Sequence, residues 1–586
     1  MWTAQKILAI LTPRERRRGA LVVVLMVVLA TIEVAGVASV MPFLAVLGDP
    51  DLVQRNPYLA LLYERLGFQD TRSFLVALGV FALLVLVFAA VFRSIAHFTM
   101  FRYANMRRHS VSRRLLAGHL RQPYEFFLTR NSADLSKTIL SEVDQLTTNV
   151  MRPAIEVVAY GTAALAIIIL LFVADPVLAA IVTGTLLGFY ALIYGVVRGL
   201  LGRIGRDRVA ANAQRFRAAA EALAGIQELK VLGRERAFFD AFDPASSRYA
   251  RHQATNQALS LIPKYLVEAV GFGAIFIVAL YALGGDANLG QALPIVGLYA
   301  LAGHRLLPAA QHVYAGMAKL QFGVSAVDTV LAELNAVPSR GMATTRAVPP
   351  MPLRRVLELR DVSYAYPGGE VSTLVSANLT IEAGTTVGII GSTGAGKSTL
   401  VSVILGLLRP RNGAIYVDGI RLDDDRVPAW QRSIGYVPQH IFLVDDTVAR
   451  NIALGIPPEE IDRDALRRAA RAAQIHDFIE EELPAGYETT VGERGVRLSG
   501  GQRQRLVLAR ALYRDPAILV FDEATSALDH RTESAVMEAI ERLSGTRTII
   551  LVAHRLTSLR GCDAIYEMYE GRVMAETSQE LKRVAE

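Results

Sequence analysis

Residues 391–398 read GSTGAGKS, and the sequence on either side places this stretch in the fold. The apolar run at 387–390 predicts a buried strand, and the pattern at 399–408 predicts a helix. A glycine-rich loop between a strand and a helix presents backbone N–H groups to phosphate oxygens. Lys397 is expected to reach the terminal phosphates of ATP, and Ser398 to offer a hydroxyl to Mg²⁺. The expected nucleotide-binding residues of this stretch are Gly391, Ser392, Thr393, Gly394, Ala395, Gly396, Lys397, Ser398 and Thr399.

A second apolar run, ILVF at 518–521, ends in two carboxylates, Asp522 and Glu523. Asp522 is expected to hold the Mg²⁺ shell, and Glu523, one position on, to polarise a water. Phosphoryl transfer needs both a metal holder and a group that orients the nucleophile. Such a pair is a weak signal alone, but after a phosphate-binding loop it predicts an ATP-hydrolysing site.

A third motif, LSGGQ at 498–502, opens a helical pattern and predicts a second anion-binding helix N-terminus. It lies more than 100 residues from the first loop. One ATP can use both turns only if they face each other across an interface.

The N-terminal half predicts a membrane domain. The chain has 586 residues, of which 52% are hydrophobic and 20% charged, and a span needs about 20 apolar residues. A soluble protein is disfavoured, because six such runs would need a very large core. The runs are Ala20–Gly48, Ser73–Phe92, Val157–Ala174, Val177–Val197, Ala269–Gly285 and Ala287–Gly303.

The arginines predict the orientation of these spans. Four of them, Arg14 and Arg16–Arg18, precede the first run, and two long connections after the second and fourth runs are arginine-rich, whereas the turns at Asp175 and Asp286 have no basic residue. The positive-inside rule therefore predicts that both termini are cytoplasmic. Only seven of the 62 basic residues are lysines, which favours a GC-rich bacterial source and hence an inner-membrane location. The single cysteine, Cys562, excludes an intrachain disulfide.

The connections themselves predict helices. Residues 102–120 and 209–233 lack proline and favour helical extensions of the spans, with turns at 122–131 and 234–244. Aromatic residues at both turns indicate docking onto another domain, with packing inside each hairpin as the alternative. The outer segment 56–67 predicts an amphipathic helix that Asn56 caps and Gly67 closes, with a structural role or a contact with cargo left open.

Charged and polar residues near the spans suggest a cargo site. Charges inside spans are costly and usually functional. If their faces meet in one cavity, the cavity is basic and suits an anionic headgroup, and the alternative is that the long side chains extend to the interface. Glu33 and Glu268 can offset part of this charge. The candidate substrate residues are Arg93, Lys264, Arg305 and His312.

The C-terminal half resembles the nucleotide-binding domain of ABC transporters, through the three motifs above and several others. The resemblance implies that Tyr366 stacks on adenine, that Gln439 serves both catalysis and Mg²⁺, and that Asp529 contacts the nucleotide. It further implies that Glu523 is the general base and that His554 holds the γ-phosphate. In the implied head-to-tail ATP sandwich, a second set of residues covers ATP bound to the other subunit: Ser499, Gly500, Gly501 and Gln502.

The whole chain is similar to a type IV exporter half, an α-helical six-span membrane domain (1–330) joined by a linker (331–353) to an α/β P-loop ATPase domain (354–586). A homodimer with two ATP sites is the economical prediction. The membrane half further resembles lipid-linked oligosaccharide flippases. The resemblance rests on residues 32–33, 40–43, 55–59, 141–143, 263–268, 271–272 and 305–308. It favours flipping of a lipid-linked pyrophosphate oligosaccharide. The alternatives are a multidrug or lipid A-type exporter and a non-pumping gate or regulator; the spans argue against a nucleic-acid partner.

Overall fold

The computed structural model describes residues 3–48, 50–174, 176–284, 289–337, 348–369, 371–523, 537–538, 540–553, 559 and 561–574. Within these ranges, the side chains at 3, 37, 41, 44, 174, 178, 270–302, 304 and 305 are not described. The predicted turns at Asp175 and Asp286 lie outside the described residues. The chain forms two compact units. One comprises Met1–Gln122 and Arg130–Met342, and the other Pro123–Thr129 and Ala343–Glu586.

The first unit is helical. Its helices are α1 (Thr3–Ile10), α2 (Pro13–Gly48), α3 (Leu52–Arg55), α4 (Pro57–Arg65), α5 (Thr71–His119), α7 (Ser132–Lys137), α8 (Val143–Leu146), α9 (Arg152–Ala174), α10 (Pro176–Ala224), α11 (Ile226–Leu232), α12 (Glu235–Gly284) and α13 (Leu289–Ala336); α6 (Tyr124–Leu128) belongs to the second unit. Two π-helical turns, Thr138–Glu142 and Thr147–Met151, flank α8.

The spans continue into much longer helices, as the arginine-rich connections predicted. Helix α5 has 49 residues, and at 1.5 Å per residue it is about 74 Å long, more than twice the bilayer core. Among the described residues, four helical stretches are long and apolar enough to cross a membrane: Pro13–Gly48, Thr71–His119, Ser132–Val173 and Ala179–Ala224. The described parts of the predicted fifth and sixth runs fall in α12 and α13, mostly at side chains that are not described.

The second connection differs from its prediction. Helix α10 ends at Ala224 and α11 ends at Leu232. Gly233 is the C-cap of α11 and has φ 60°, in the left-handed region. Helix α12 begins at Glu235 and continues through Pro244. The prediction of a turn over 234–244 is therefore wrong. The N–H of Arg234 bonds back to the carbonyl of Leu229, which closes the helix as glycine C-caps do. The glycine, rather than the proline, marks the turn.

The outer segment follows its sequence pattern. Asn56 Oδ1 accepts hydrogen bonds from the N–H groups of Tyr58 (3.0 Å) and Leu59 (3.4 Å), and Pro57 is the first residue of α4. Gly67 has φ 71° just after the helix. The cap and closure predicted from the sequence are confirmed, whereas α3 was not predicted.

The second unit contains two sheets. The strands are β1 (Val356–Tyr364), β2 (Leu374–Glu382), β3 (Thr386–Gly391), β4 (Asn412–Val417), β5 (Ile420–Arg421), β6 (Ile434–Val437), β7 (Ile518–Asp522), β8 (Thr548–Val552), β9 (Ala564–Tyr569) and β10 (Arg572–Val573). The first sheet is antiparallel, in the order β2-β1-β4-β5, and the second has the order β10-β9-β3-β8-β7-β6. Strands β9, β3, β8, β7 and β6 are parallel, so their carboxyl ends share one edge.

The helices of this unit are α14 (Lys397–Ile404), α15 (Val427–Gln431), α16 (Val448–Ile452), α17 (Arg463–Ala472) and α18 (Gly500–Leu512), with short 3₁₀ turns at Pro458–Glu460, Gly486–Glu488 and Glu493–Gly495 and a π turn at Phe478–Glu482. One apolar cluster packs α14 and the fully buried Trp430 against both sheets. A second cluster packs α16, α17 and α18 together. These two cores fix the shared edge of the parallel strands.

Candidate functional site

The phosphate-binding loop connects β3 to α14. Gly396 has φ 101° and is the N-cap of α14, and a Cβ there would lie 2.9 Å from the carbonyl oxygen of Thr373. Gly391 ends β3, and a Cβ there would lie 2.5 Å from the carbonyl oxygen of Met568. Both contacts exclude a side chain, so these two glycines are required by close packing of the backbone.

Lys397 lies across this loop. Its side chain is 5% exposed, and Nζ donates to the carbonyl oxygens of Gly391 (2.8 Å) and Ser392 (3.2 Å). Lysine is a compact point charge that suits phosphate oxygens. The ammonium group is therefore already placed at the loop that the sequence assigned to phosphate.

The two carboxylates leave the neighbouring strand with different surroundings. Burial raises the pKa of Asp522, and the adjacent Glu523 carboxylate raises it further. Asp522 Oδ1 is buried and has no hydrogen-bond partner among the described residues. A cation satisfies such an oxygen, so this position fits the expected Mg²⁺. The structure also shows Tyr436, which the sequence analysis missed, with its pKa raised by burial and by Asp522 to about 12.

Glu523 has φ 50°, in the left-handed region that side chains rarely adopt. Such strain is typical of functional sites. The turn separates its carboxylate from that of Asp522, and Oε2 accepts a 2.6 Å hydrogen bond from Gln439 Nε2. Lys397 Nζ lies 4.0 Å from Oε1. The structure therefore brings three predicted residues together at the carboxyl edge of β3, β7 and β6.

The remaining predicted nucleotide contacts differ in what the structure shows. The hydroxyl of Tyr366 lies 3.0 Å from Thr399 Oγ1, and its ring is edge-to-face with Tyr364 at 5.2 Å. Ser499 caps α18 in a capping box, in which Ser499 Oγ accepts from Gln502 N and Gln502 Oε1 accepts from Ser499 N. Ser499 and Gly500 are exposed, whereas Gly501 is buried. Asp529 and His554 lie outside the described residues.

Helix α6 belongs to the ATPase unit although the chain enters it from the spans. Glu125 Oε1 accepts a hydrogen bond from the backbone N–H of Arg409 at 3.4 Å. Burial raises the pKa of Tyr364, and the nearby Glu125 carboxylate adds to the rise. Residues 123–129 of the first predicted turn are therefore packed in the ATPase unit, where Glu125 makes a hydrogen bond.

The candidate cargo residues are spread over several helices of the first unit. Arg93 Nε lies 2.6 Å from Glu33 Oε1, and Lys264 Nζ lies 3.6 Å from Glu268 Oε1. His312 stacks on Tyr160, with ring centroids 4.1 Å apart. The side chain of Arg305 is not described.

Polar residues that the sequence analysis missed surround His312. The hydroxyl of Tyr160 lies 3.4 Å from His97 Nε2, and Arg152 Nε donates to Glu156 Oε1 at 2.7 Å. Polar side chains inside or just before an apolar run were the available signal. Arg93 and Arg152 each face a carboxylate, so this region is less basic than a count of its arginines indicates.

Comparisons with known proteins extend these observations over both units. Residues 22–301 match the family described as the ABC transporter transmembrane region, and residues 374–526 match the family described as ABC transporter. The chain is 35% identical over 373 residues to an ATP-dependent lipid A-core flippase from Alkalilimnicola ehrlichii, a match that covers 64% of this chain and 62% of the relative. It is 30% identical over 477 residues to an ATP-dependent lipid A-core flippase from Saccharophagus degradans, which covers 80% and 78% of the two chains.

A solved structure of a bacterial Atm1-family ABC exporter with ATP bound superposes with a TM-score of 0.74 at 23% identity, covering 97% of this chain and 96% of that one. At this identity the likeness shows the fold alone, and it confirms the predicted fold class. Half-transporters of this kind work as dimers in the membrane. Because the relatives match across the membrane and ATPase units together, the chain belongs to the ABC transporters, in which an ATPase domain couples ATP hydrolysis to transport.

Proposed function

We propose that the chain is an ATP-driven flippase for an anionic, sugar-bearing lipid and that it works as a homodimer with two ATP sites. The observation that supports the ATP chemistry is the convergence of Lys397, Gln439 and Glu523, with Gln439 Nε2 and Lys397 Nζ at 2.6 Å and 4.0 Å from the Glu523 carboxylate. The relatives that match both units support the lipid cargo class.

In this proposal each side chain at the shared edge has one task. Lys397 holds the terminal phosphates, and Glu523 accepts the proton of the attacking water. Ser398, Gln439 and Asp522 hold Mg²⁺, which neutralises phosphate charge when it is bound. Tyr366 stacks on adenine, Asp529 contacts the nucleotide, and His554 holds the γ-phosphate. The second copy covers the ATP with Ser499, Gly500, Gly501 and Gln502.

The hydrogen bond between Gln439 and Glu523 occupies one oxygen of the proposed general base. Gln439 Nε2 lies 2.6 Å from Glu523 Oε2 and so occupies the place where a water would meet this oxygen. In this proposal Gln439 moves away from Glu523 before Oε2 takes a proton from the attacking water. Closure of the two ATPase domains around ATP is the proposed cause of that movement, and α6 is proposed to carry it to the spans.

Two cargoes compete within this class. Residues 32–33, 40–43, 55–59, 141–143, 263–268, 271–272 and 305–308 resemble lipid-linked oligosaccharide flippases, whereas the relatives at 30–35% identity are named lipid A-core flippases. Both cargoes carry phosphate and sugar on a lipid. Arg93, Lys264, Arg305 and His312 remain the proposed headgroup residues. The pairing of Arg93 with Glu33 implies that the headgroup phosphate displaces a carboxylate from the guanidinium.

Reconstituted vesicles test the proposal. The purified chain is placed in phospholipid vesicles with either a fluorescent lipid-linked pyrophosphate oligosaccharide or fluorescent lipid A core, and the fraction that reaches the opposite leaflet is measured with and without ATP. ATP-dependent movement of one cargo, lost in the Glu523→Gln variant, is the expected result. Movement that is equal without ATP would favour a gate, and equal transport of unrelated amphiphiles would favour a multidrug exporter.

The same vesicles test the location and orientation. We propose that the chain lies in a bacterial inner membrane with both termini in the cytoplasm, since the positive-inside rule predicts that the arginine-rich connections are cytoplasmic. Protease added outside vesicles of known orientation is expected to cut at both termini from the ATPase side only. Cleavage at one terminus from each side would refute an even number of spans.

A further inference from the structure

Residues 442–447, called here the Gln439 segment because they follow Gln439 in the chain, are held by a fully buried asparagine on α16. Asn451 is 0% exposed, and its Nδ2 donates to the carbonyl oxygens of Val444 (2.9 Å), Thr447 (3.1 Å) and Asp446 (3.4 Å). Its Oδ1 accepts from the backbone N–H of Val444 at 3.0 Å. A single amide thus satisfies several backbone groups of one irregular loop, which removes most of the loop's freedom.

Arg510 fastens the same segment to α18. Its Nε donates to the carbonyl oxygen of Asn451 (2.7 Å), Nη1 to the carbonyl oxygen of Phe442 (2.8 Å) and Nη2 to Asn451 Oδ1 (3.2 Å). Burial lowers the pKa of Arg510 to about 10, so the guanidinium is still charged at neutral pH. Three bonds from a charged planar fork fix both distance and angle, as a single ammonium cannot.

Arg510 lies near the C-terminal end of α18, and Ser499 is the N-cap at its other end. Arg510 and Ser499 are 11 residues apart on one continuous helix, a distance of about 16 Å along its axis. A straight helix transmits displacement as a rigid rod over this length. The position of the segment after Gln439 is therefore tied to the position of Ser499.

A further part of the chain, residues 489–491, is hydrogen-bonded to the Gln439 segment and to the start of α16. The carbonyl oxygen of Asp446 accepts from Val491 N at 3.0 Å, and Val448 N donates to the carbonyl oxygen of Thr489 at 2.9 Å. Leu443 packs directly against Gly495. The loop 489–495 is thus held by the segment that Asn451 and Arg510 fasten.

We propose that Asn451 and Arg510 are positioning residues for ATP hydrolysis, which make the Gln439 segment, the loop 489–495 and the Ser499 helix move as one body. The inference rests on the proposed head-to-tail sandwich, in which Gln439 acts at one ATP and Ser499 at the other. Among the described residues, neither Asn451 nor Arg510 has a hydrogen bond or ion pair with Lys397, Gln439 or Glu523. Together, Asn451 and Arg510 couple two events. Gln439 leaves Glu523 in one site as Ser499 moves over the ATP of the other site.

Trapping of ATP in the closed state measures this linkage apart from chemistry. The full chain with Glu523→Gln, in lipid nanodiscs, is titrated with labelled ATP, and both the midpoint and the amount of trapped nucleotide are recorded. Adding Arg510→Lys keeps the charge but removes two of the three donors. The midpoint is expected to rise about tenfold, because closure no longer moves both elements together. Asn451→Ser is expected to shift the midpoint in the same direction.

Arg505→Lys is the matched control. Arg505 lies on the same helix and its Nη1 donates to the carbonyl oxygen of Gln474 at 2.8 Å, outside the Gln439 segment. Its substitution is expected to leave the midpoint unchanged. A purely structural role for Arg510 would lower the amount of trapped ATP at the same midpoint, and that result would overturn the proposal. An equal midpoint shift in the Arg505→Lys chain would also overturn it.

A measurement on the unaltered chain decides the matter if the variants do not fold. Hydrogen exchange at the amides of Val444, Val491 and Gln502 is followed as ATP is added. If the three elements move as one body, the three amides gain protection with the same midpoint in ATP concentration. Different midpoints for the three amides would refute the linkage. Failure of Glu523→Gln to trap any ATP would contradict the proposed ATP sandwich instead, and the exchange experiment would still report on the linkage.

Discussion

The ATP-site edge of the parallel sheet and the polar residues of the spans place their functional groups in different ways. At the edge, Lys397, Gln439 and Glu523 each follow a strand end by a few residues, and the shared direction of β3, β6 and β7 brings them together. In the spans, Arg93 meets Glu33 and His312 meets Tyr160 across different helices. Short motifs therefore predict the first region, whereas the second requires the pairing of helices.

The two regions also differ in how charge is balanced. Lys397 Nζ donates to two loop carbonyls and lies 4.0 Å from Glu523 Oε1. Its proposed further partner is a phosphate of the ligand, so part of its charge balance comes from outside the protein. Two arginines of the first unit pair with carboxylates of the same chain. Arg208 lies 2.7 Å from Glu142, with both fully buried, and Arg93 lies 2.6 Å from Glu33, with both partly exposed. Substitution of one member of such a pair therefore leaves the other charge unpaired, whereas substitution of both members does not.

Glu523→Gln is the largest expected effect at the sheet edge. The variant keeps the shape of the side chain and removes its basicity, so the rate of phosphate release is expected to fall about a thousandfold while ATP remains bound. Lys397→Ala is the paired control, and we expect it to abolish ATP binding in an equilibrium assay with labelled nucleotide. Normal turnover by the Glu523→Gln chain would remove its role as the base.

Arg208→Met tests the paired character of the first unit. Arg208 and Glu142 are both 0% exposed, and removal of one partner strands a buried charge at a cost of about 3–5 kcal/mol. Asn212 Nδ2 also donates to Glu142 Oε1 at 2.9 Å, which compensates only part of that charge. Thermal unfolding of the full chain in detergent is expected to show this loss.

The double variant Glu142→Met with Arg208→Met separates the loss of the ion pair from the loss of one charge. We expect it to recover most of the lost stability, since no charge is left unpaired. Arg217→Met is the exposed control: its ion pair with Asp134 is solvated and contributes less than about 1 kcal/mol. If the double variant is as unstable as the sum of the single ones, the paired description of this region is wrong.

Arg93→Gln is expected to have a smaller and cargo-dependent effect. Stimulation of ATP hydrolysis by the transported lipid is expected to fall about tenfold because a charge-assisted phosphate contact is lost. Basal hydrolysis is expected to be unchanged. Glu33→Gln, which frees the guanidinium for phosphate, is expected to lower the cargo concentration needed for half-maximal stimulation. If the two substitutions changed the stimulation of ATP hydrolysis equally, Arg93 would have a structural role and would not bind the headgroup.

The sequence predicted the features that depend on neighbouring residues. The Asn56 cap and the strand-loop-helix order around Lys397 each need only a few adjacent positions. The turn at Gly233, the Glu142–Arg208 pair and the Asn451–Arg510 bonds were not predicted. The first depends on one glycine adopting a left-handed conformation, and the others join residues 66 and 59 positions apart. Side chains that pair at such separations leave no periodic signal in the sequence.

Asp418→Asn is the smallest expected effect and it probes a local motif. Asp418 and Gly419 have φ 53° and 82° between β4 and β5, as an Asp-Gly hairpin turn requires. The Asp418 carboxylate accepts hydrogen bonds from the N–H groups of Arg354 (3.0 Å), Arg355 (2.8 Å) and Val356 (2.9 Å). Asparagine tolerates the same backbone conformation, so the substitution removes the charge and one acceptor oxygen only.

The pH dependence of this contact has a definite sign. Burial alone raises the pKa of Asp418, but the three N–H donors lower it overall. The carboxylate therefore stabilises the folded chain above its unfolded pKa, about 3.9, and the contribution is lost as the pH falls through the lower folded value. Exchange at Arg355 and Val356 is expected to be roughly threefold faster in the Asp418→Asn chain at pH 7. The difference should shrink as the pH falls below the unfolded pKa and vanish once it is below the folded one, with Leu359 in β1 as the unaffected control. A difference that persists in acid would mean that the turn conformation, and not the charge, secures this hairpin.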